Sequence, residues 1–226
     1  MTDAAEYAAW YEGTRGAWIG STEFALLLEL IDLGRNESLL DVGCGTGYFT
    51  SYFARCTAAR VVGMDPNSSW LHYAQGHAPG RLAWVTGRAE DLPFPDASFD
   101  MAISVTALCF IADQERAFQE IIRVTRRRFA LGLLNRHSLL WWNKGRCGGT
   151  DGYQGAHWHT VNEVRELVAR HPVRNLRIRT GIFLPGGGRS ARWVETFLPR
   201  RLPFGAFLAV AGDVAPAPRV SRAENS

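Results

Sequence analysis

Leu39-Leu40-Asp41-Val42-Gly43-Cys44-Gly45-Thr46-Gly47 is the stretch on which the fold turns. The apolar run over residues 38–42 has the length of a buried strand and stops at glycines. Glycines at alternate positions let the backbone turn tightly and let a ligand approach without meeting a Cβ. Residues 48–55 have helical character, so the loop opens onto a helix N-terminus with free amide donors. A second apolar run, residues 60–64, is ended by Asp65, 22 residues beyond Gly43. An acid about 20 positions after such a loop accepts from ribose hydroxyls in nucleotide-binding βαβ units. The dinucleotide fingerprint puts its third glycine five residues after the first, where this chain has Tyr48; the third glycine comes early, at Gly47. No Gly-Lys-Ser/Thr sequence is present, which excludes a phosphate-binding P-loop. Asp41, on the strand side of the loop, suits a ligand with a positive amino group better than a diphosphate.

Outward from the loop, strand and helix alternate five times. Helices are expected over residues 2–12, 21–33 (Phe24, Leu27, Leu28 and Ile31 at helical spacing, Gly34 as the stop), 48–55 and 68–75. Asp113 caps another, with Phe118, Ile121, Ile122 and Thr125 on one face. Strands are expected over residues 38–42, 60–64, 82–85, 99–105 and 129–134. This alternation means βαβ crossovers and a mostly parallel sheet covered on both faces. Thr160-Val161-Asn162-Glu163 reads as a capping box opening a further helix. The alternation around Leu176, Ile178 and Thr180 gives a sixth strand, and residues 204–211 a last one. Gly186-Gly187-Gly188 reads as a turn between these strands.

Composition narrows the class. The chain has 226 residues, 46% hydrophobic and 21% charged, enough for one domain with a full core and unlike a disordered chain. No apolar run approaches the roughly 18 residues of a membrane span. The first residues carry no basic and apolar export signal. Cys44, Cys56, Cys109 and Cys147 are scattered and read as reduced thiols of a cytoplasmic protein. Net charge is +3, a weak signal for a nucleic-acid partner. Arg123, Arg126, Arg127 and Arg128 read as positive charge at a helix end, complementing its dipole.

Together these motifs resemble the class I S-adenosylmethionine-dependent methyltransferases, and most closely the methyltransferase type 11 branch, which includes quinone-biosynthesis methyltransferases. The resemblance covers residues 37–135. It implies a Rossmann-like, doubly wound, seven-stranded α/β sheet that is mostly parallel with the last strand antiparallel. It implies S-adenosyl-L-methionine as cofactor, held by Asp41, Gly43, Cys44, Gly45 and Gly47 at the methionine and ribose, by Asp65 at the ribose hydroxyls, and by Pro66 against the adenine. The family's third-strand motif falls on Gly87-Arg88-Ala89-Glu90-Asp91-Leu92-Pro93-Phe94. Arg88 departs from it, because arginine has no acceptor for the adenine amino group, and that contact shifts toward Ala89 or Glu90. Val105 or Thr106, after the fourth strand, would face the cofactor, and Tyr11 of an N-terminal cap would touch the pocket.

The expected organisation is cap helices over residues 1–36, a methyltransferase domain over 37–212 with an aromatic cover at 136–159, and a loose tail at 213–226. The cover holds Trp141, Trp142, Tyr153 and Trp158, and aromatic walls suit a flat or apolar acceptor. His137, His157 and His159 are the candidates for a catalytic base. No metal is expected, since His157, His159 and Cys147 match no zinc spacing. The expected function is methyl transfer to a small molecule, with an RNA or protein acceptor as the alternative.

Overall fold

The structure is a computed structural model and describes residues 3–215 apart from Pro79 and Arg81. Its centre is β1 (Leu39–Val42), whose four residues are all buried, as a strand covered on both faces must be. β2 (Val61–Asp65) pairs with it on one side, Leu39 opposite Val61, and β4 (Phe99–Val105) on the other, Leu39 opposite Met101, both parallel. β3 (Leu82–Thr86) extends the sheet beyond β2. β5 (Thr125–Leu134) extends it beyond β4. β7 (Phe207–Val214) then inserts antiparallel between β5 and β6 (Val173–Gly181), with Leu131 opposite Val210 and Ile178 opposite Val210. The order is β3-β2-β1-β4-β5-β7-β6: the expected seven-stranded, mostly parallel sheet with its last strand antiparallel.

The helices are α1 (Ala4–Glu12), α2 (Thr14–Ile31), α3 (Tyr48–Phe53), α4 (Ser68–His77), α5 (Gln114–Val124), α6 (Val161–Ala169) and α7 (Arg189–Phe197). The core holds Phe53, Phe99, Phe118, Phe129 and Phe207 with Leu26, Leu27, Leu39 and Leu40. The Thr160–Glu163 capping box forms in both directions. Among the described residues no helix is long and apolar enough to cross a membrane.

Several boundaries differ from expectation. α2 begins at Thr14, seven residues before Ser21, because Gly16 accepts the α1 backbone: a Cβ there would lie 1.9 Å from the Trp10 carbonyl oxygen. It stops at Asp32, which takes the left-handed conformation (φ 47°) expected of Gly34. Thr125 opens β5 instead of continuing the α5 face, so of the four clustered arginines only Arg123 is helical. Gly188 caps α7, a helix the sequence did not announce. β7 runs on through Asp213 and Val214, so the chain is still sheet where the tail was expected; residues 216–226 lie outside the described residues.

Candidate active site

The glycine loop closes at the carboxyl ends of β1 and β2. The Gly43 and Cys44 amides both donate to the Met64 carbonyl, at 2.7 and 2.9 Å, which folds the loop back over β2. Gly43, Gly45 and Gly47 all have positive φ (75°, 57° and 80°). Space forbids a side chain as well: a Cβ on Gly43 would lie 2.2 Å from the Ala107 Cβ, and one on Gly47 2.6 Å from the Trp84 ring. Asp41 is buried beneath the loop and accepts from the Thr50 hydroxyl at 2.6 Å, tying β1 to α3. Burial pushes its carboxyl up to about 7.

Asp65 sits opposite. One oxygen accepts from the Gly45 amide at 2.9 Å and the other from the Asn67 amide at 2.8 Å. A carboxylate has about four lone-pair sites, so each oxygen keeps one for a ligand hydroxyl. Burial raises its pKa, against the pull of those two amides. Pro66 is exposed beside it. The next turn is anchored by the Gly87 amide, which donates to the Asp65 carbonyl at 3.2 Å. Ala89 is buried, whereas Arg88 points outward and pairs with Glu90 at 2.8 Å. The segment that follows is clasped by Arg123, which donates to the Leu92 and Phe94 carbonyls and pairs with Glu120 and Asp96. Val105 is buried at the end of β4, and Thr106 takes φ 58° to turn the chain into the segment that meets Gly43. The loop, both acids, Ala89, Glu90, Val105 and Thr106 therefore all lie at or just beyond one edge of the sheet. Their form suits a nucleoside with an amino-acid tail: a cradle that any Cβ would fill, beside an acid with spare acceptor sites.

α1 and α2 meet this edge with aromatics. Tyr7 stacks on Trp70 (4.9 Å between centroids), and Tyr11 stacks on Tyr48 (3.9 Å). Tyr11 is thus buried in an aromatic stack over the loop's helix. Glu23 of α2 is also buried, and sequence reading passed it over. The signal was available: Glu23 is an acid on the same helical face as Ile19, Gly20, Leu27 and Leu30.

The three histidines differ. His159 is buried, its Nε2 3.0 Å from Gln114 Oε1 and its Nδ1 3.9 Å from Cys109 Sγ. Burial pulls its pKa down to about 4, so the ring is neutral and held from two sides. His137 is exposed. His157 is exposed and borders two open cavities of about 350 and 590 Å³. The smaller is walled by Trp141, Trp158 and Arg136; the larger by Phe110, Ile111 and Leu167. The cover segment is pinned to the β4–α5 connection where the His157 amide donates to the Cys109 carbonyl at 2.7 Å. Its tryptophans do not act as a group: Trp158 is buried, Trp141 half-buried, and Trp142 exposed beneath the Arg146 guanidinium. Cys44 is held protonated, its thiol pushed far up by burial, which removes it as a nucleophile. Among the described residues no group of His, Cys, Asp or Glu could hold a metal ion.

The methyltransferase-domain family matches residues 40–129, the span from β1 into β5 that carries this edge. Residues 40–129 are a methyltransferase domain. The methyltransferase domain is 30% identical over 194 residues to the uncharacterized protein Rv2003c of Mycobacterium tuberculosis, covering 82% of this chain and 63% of that protein. The chain therefore spans about three-fifths of the length of that relative. It is 37% identical over 95 residues to the O-methyltransferase resE of Aspergillus sclerotiorum, covering 40% of this chain and 36% of that one. In fold it is similar to a solved S-adenosylmethionine-dependent methyltransferase of Thermotoga maritima described as a possible histamine N-methyltransferase. The TM-score is 0.74 at 23% identity, covering 93% of this chain and 95% of that one.

Proposed function

We propose that the chain transfers a methyl group from S-adenosyl-L-methionine to a small-molecule acceptor that is partly aromatic or apolar. The observation that carries this reading is the glycine cradle beside Asp65: three left-handed glycines with no room for a side chain, and a carboxylate whose two oxygens each keep an acceptor site. When bound, the cofactor supplies an activated methyl carbon on a sulfonium, so the protein's task is alignment. Asp65 would hold the ribose hydroxyls, the Gly43–Gly47 loop the methionine side, and Ala89, Glu90 and Pro66 the adenine. Arg88 faces away and takes no part. The stacked Tyr7, Tyr11 and Tyr48 exclude water from the loop. Of the three histidines, His157 is the one open to a cavity and free to take a proton.

A small acceptor is supported over RNA or protein by the arginines. Arg123, Arg126, Arg127 and Arg128 pair with Asp96, Asp100, Glu37 and Asp213 respectively, leaving no bare basic groove there. The relatives named O-methyltransferases point the same way. Four free cysteines fit a reducing compartment, hence the cytoplasm. Calorimetric titration with S-adenosylmethionine, S-adenosylhomocysteine and NAD tests the reading. Binding of the first two without NAD is expected; NAD binding in their place would sink it.

A further inference from the structure

Glu23 has no hydrogen-bond or ion-pair partner among the described residues, although only 8% of its surface is exposed. A buried carboxyl in that state meets the full cost of desolvation unless something brings it a donor. Its surroundings are phenolic. One turn before it on α2, Gly20 is in direct contact with Tyr48, whose hydroxyl would lie 2.6 Å from a Cβ there. Tyr48 stacks on Tyr11, and the Tyr11 hydroxyl lies 3.5 Å from that of Tyr7. Tyr153, from the aromatic cover, completes the group: burial first, and the Glu23 charge next, push its hydroxyl up to about 12. Three elements and the cover thus converge on one unpaired acid.

Its place separates it from the cofactor cradle. Asp41 senses the charge of Asp65 and not that of Glu23, whereas Tyr7 senses both. Tyr7 therefore stands between the nucleoside end of the site and Glu23, and Glu23 lies on the side of the cover. A carboxylate among tyrosine rings has one favourable class of guest. Ring faces and the carboxylate are all negative toward a cation, and an ammonium also supplies the missing hydrogen-bond donors. A neutral hydroxyl would satisfy the acid only partly and gain nothing from the ring faces.

We propose that Glu23, walled by Tyr7, Tyr11, Tyr48 and Tyr153, is the subsite that receives the ammonium group of an amine acceptor. This rests on the methyl-transfer reading for the word acceptor, but the amine site itself does not. Arg15, which the Tyr153 hydroxyl also senses, is the cation nearest the outer wall and pairs with no acid.

The test is calorimetric titration of 2-phenylethylamine and its neutral isostere 2-phenylethanol into the full chain, with and without S-adenosylhomocysteine. The amine is expected to bind at least about tenfold tighter than the alcohol, a gap of one charge-assisted hydrogen bond. Glu23→Gln should abolish that preference while leaving the S-adenosylhomocysteine constant within about twofold, since an ordinary surface effect is smaller than a decade. Equal binding of the two probes to the wild type, or no amine binding at all, overturns the proposal without any variant. An unchanged amine constant in Glu23→Gln overturns it too. Loss of S-adenosylhomocysteine binding in step with the amine would assign Glu23 to the cofactor's own ammonium and equally overturn it. A wild type that prefers the amine through Glu23 yet binds no S-adenosylhomocysteine would sink the methyl-transfer reading and leave the amine site standing.

Discussion

Glu23→Gln should make the protein more stable at neutral and alkaline pH, and the gain should grow with pH. Burial raises the Glu23 carboxyl from its ordinary 4.5 to about 8. The sign follows from proton counting. Because the folded-state value is the higher one, the native state keeps a proton that the unfolded chain releases between those two values. Stability from this group is therefore complete below about pH 4.5, falls as pH rises, and levels off above about pH 8. The difference of about three and a half pK units, at 1.36 kcal/mol each, gives a ceiling of about 5 kcal/mol. Near pH 7 the same arithmetic gives about 3 kcal/mol. Glutamine has the same shape and no proton to lose. Urea unfolding of both proteins near pH 5, 7 and 8.5 measures the gap. Asp41, raised to about 7, titrates in the same window but in both proteins, so it cancels in the difference. A gap that stays constant across this range would refute the buried, unpaired state of Glu23. An acid that weakens its own fold at working pH is the pattern of a residue kept for binding, since stability and site chemistry trade against each other.

Three further outcomes are expected. Asp65→Ala should weaken S-adenosylhomocysteine binding by about 1.5–3 kcal/mol, toward the upper end because the Gly45 and Asn67 amides lose their acceptor as well; an unchanged constant in a folded variant would refute the ribose role. Gly43→Ala should abolish cofactor binding, because φ 75° and the Ala107 Cβ both oppose a methyl group; titration and thermal melting read it. Trp158→Ala should cost about 3–5 kcal/mol of stability, whereas Trp142→Ala, at an exposed ring, should cost under about 1 kcal/mol; denaturant unfolding separates them.

Much of the site was legible because its signals are local. Three glycines within five residues impose a backbone path, and an acid at a strand end is placed by that strand. Arg88 was legible as a departure, and its outward ion pair with Glu90 is what a side chain without an acceptor finds instead. The histidines were not separable by sequence. His157 and His159 are two residues apart and their rings touch at 4.5 Å, yet one borders open cavities and the other is sealed between Gln114 and Cys109. Their partners come from 45 and 50 residues away, beyond any local pattern.

By itself the sequence determined β1 to β5, the glycine turn and the capped start of α6. Hydrophobic period, turn chemistry and capping act over a few residues and read the same in any context. Tertiary structure alone decided that β7 slots antiparallel between β5 and β6, that α7 fills the connection between β6 and β7, and that Glu23 of α2 meets tyrosines from α1, α3 and the cover. Those arrangements join segments far apart in the chain. They follow from which faces must be buried together, and no single segment encodes its neighbour across the core.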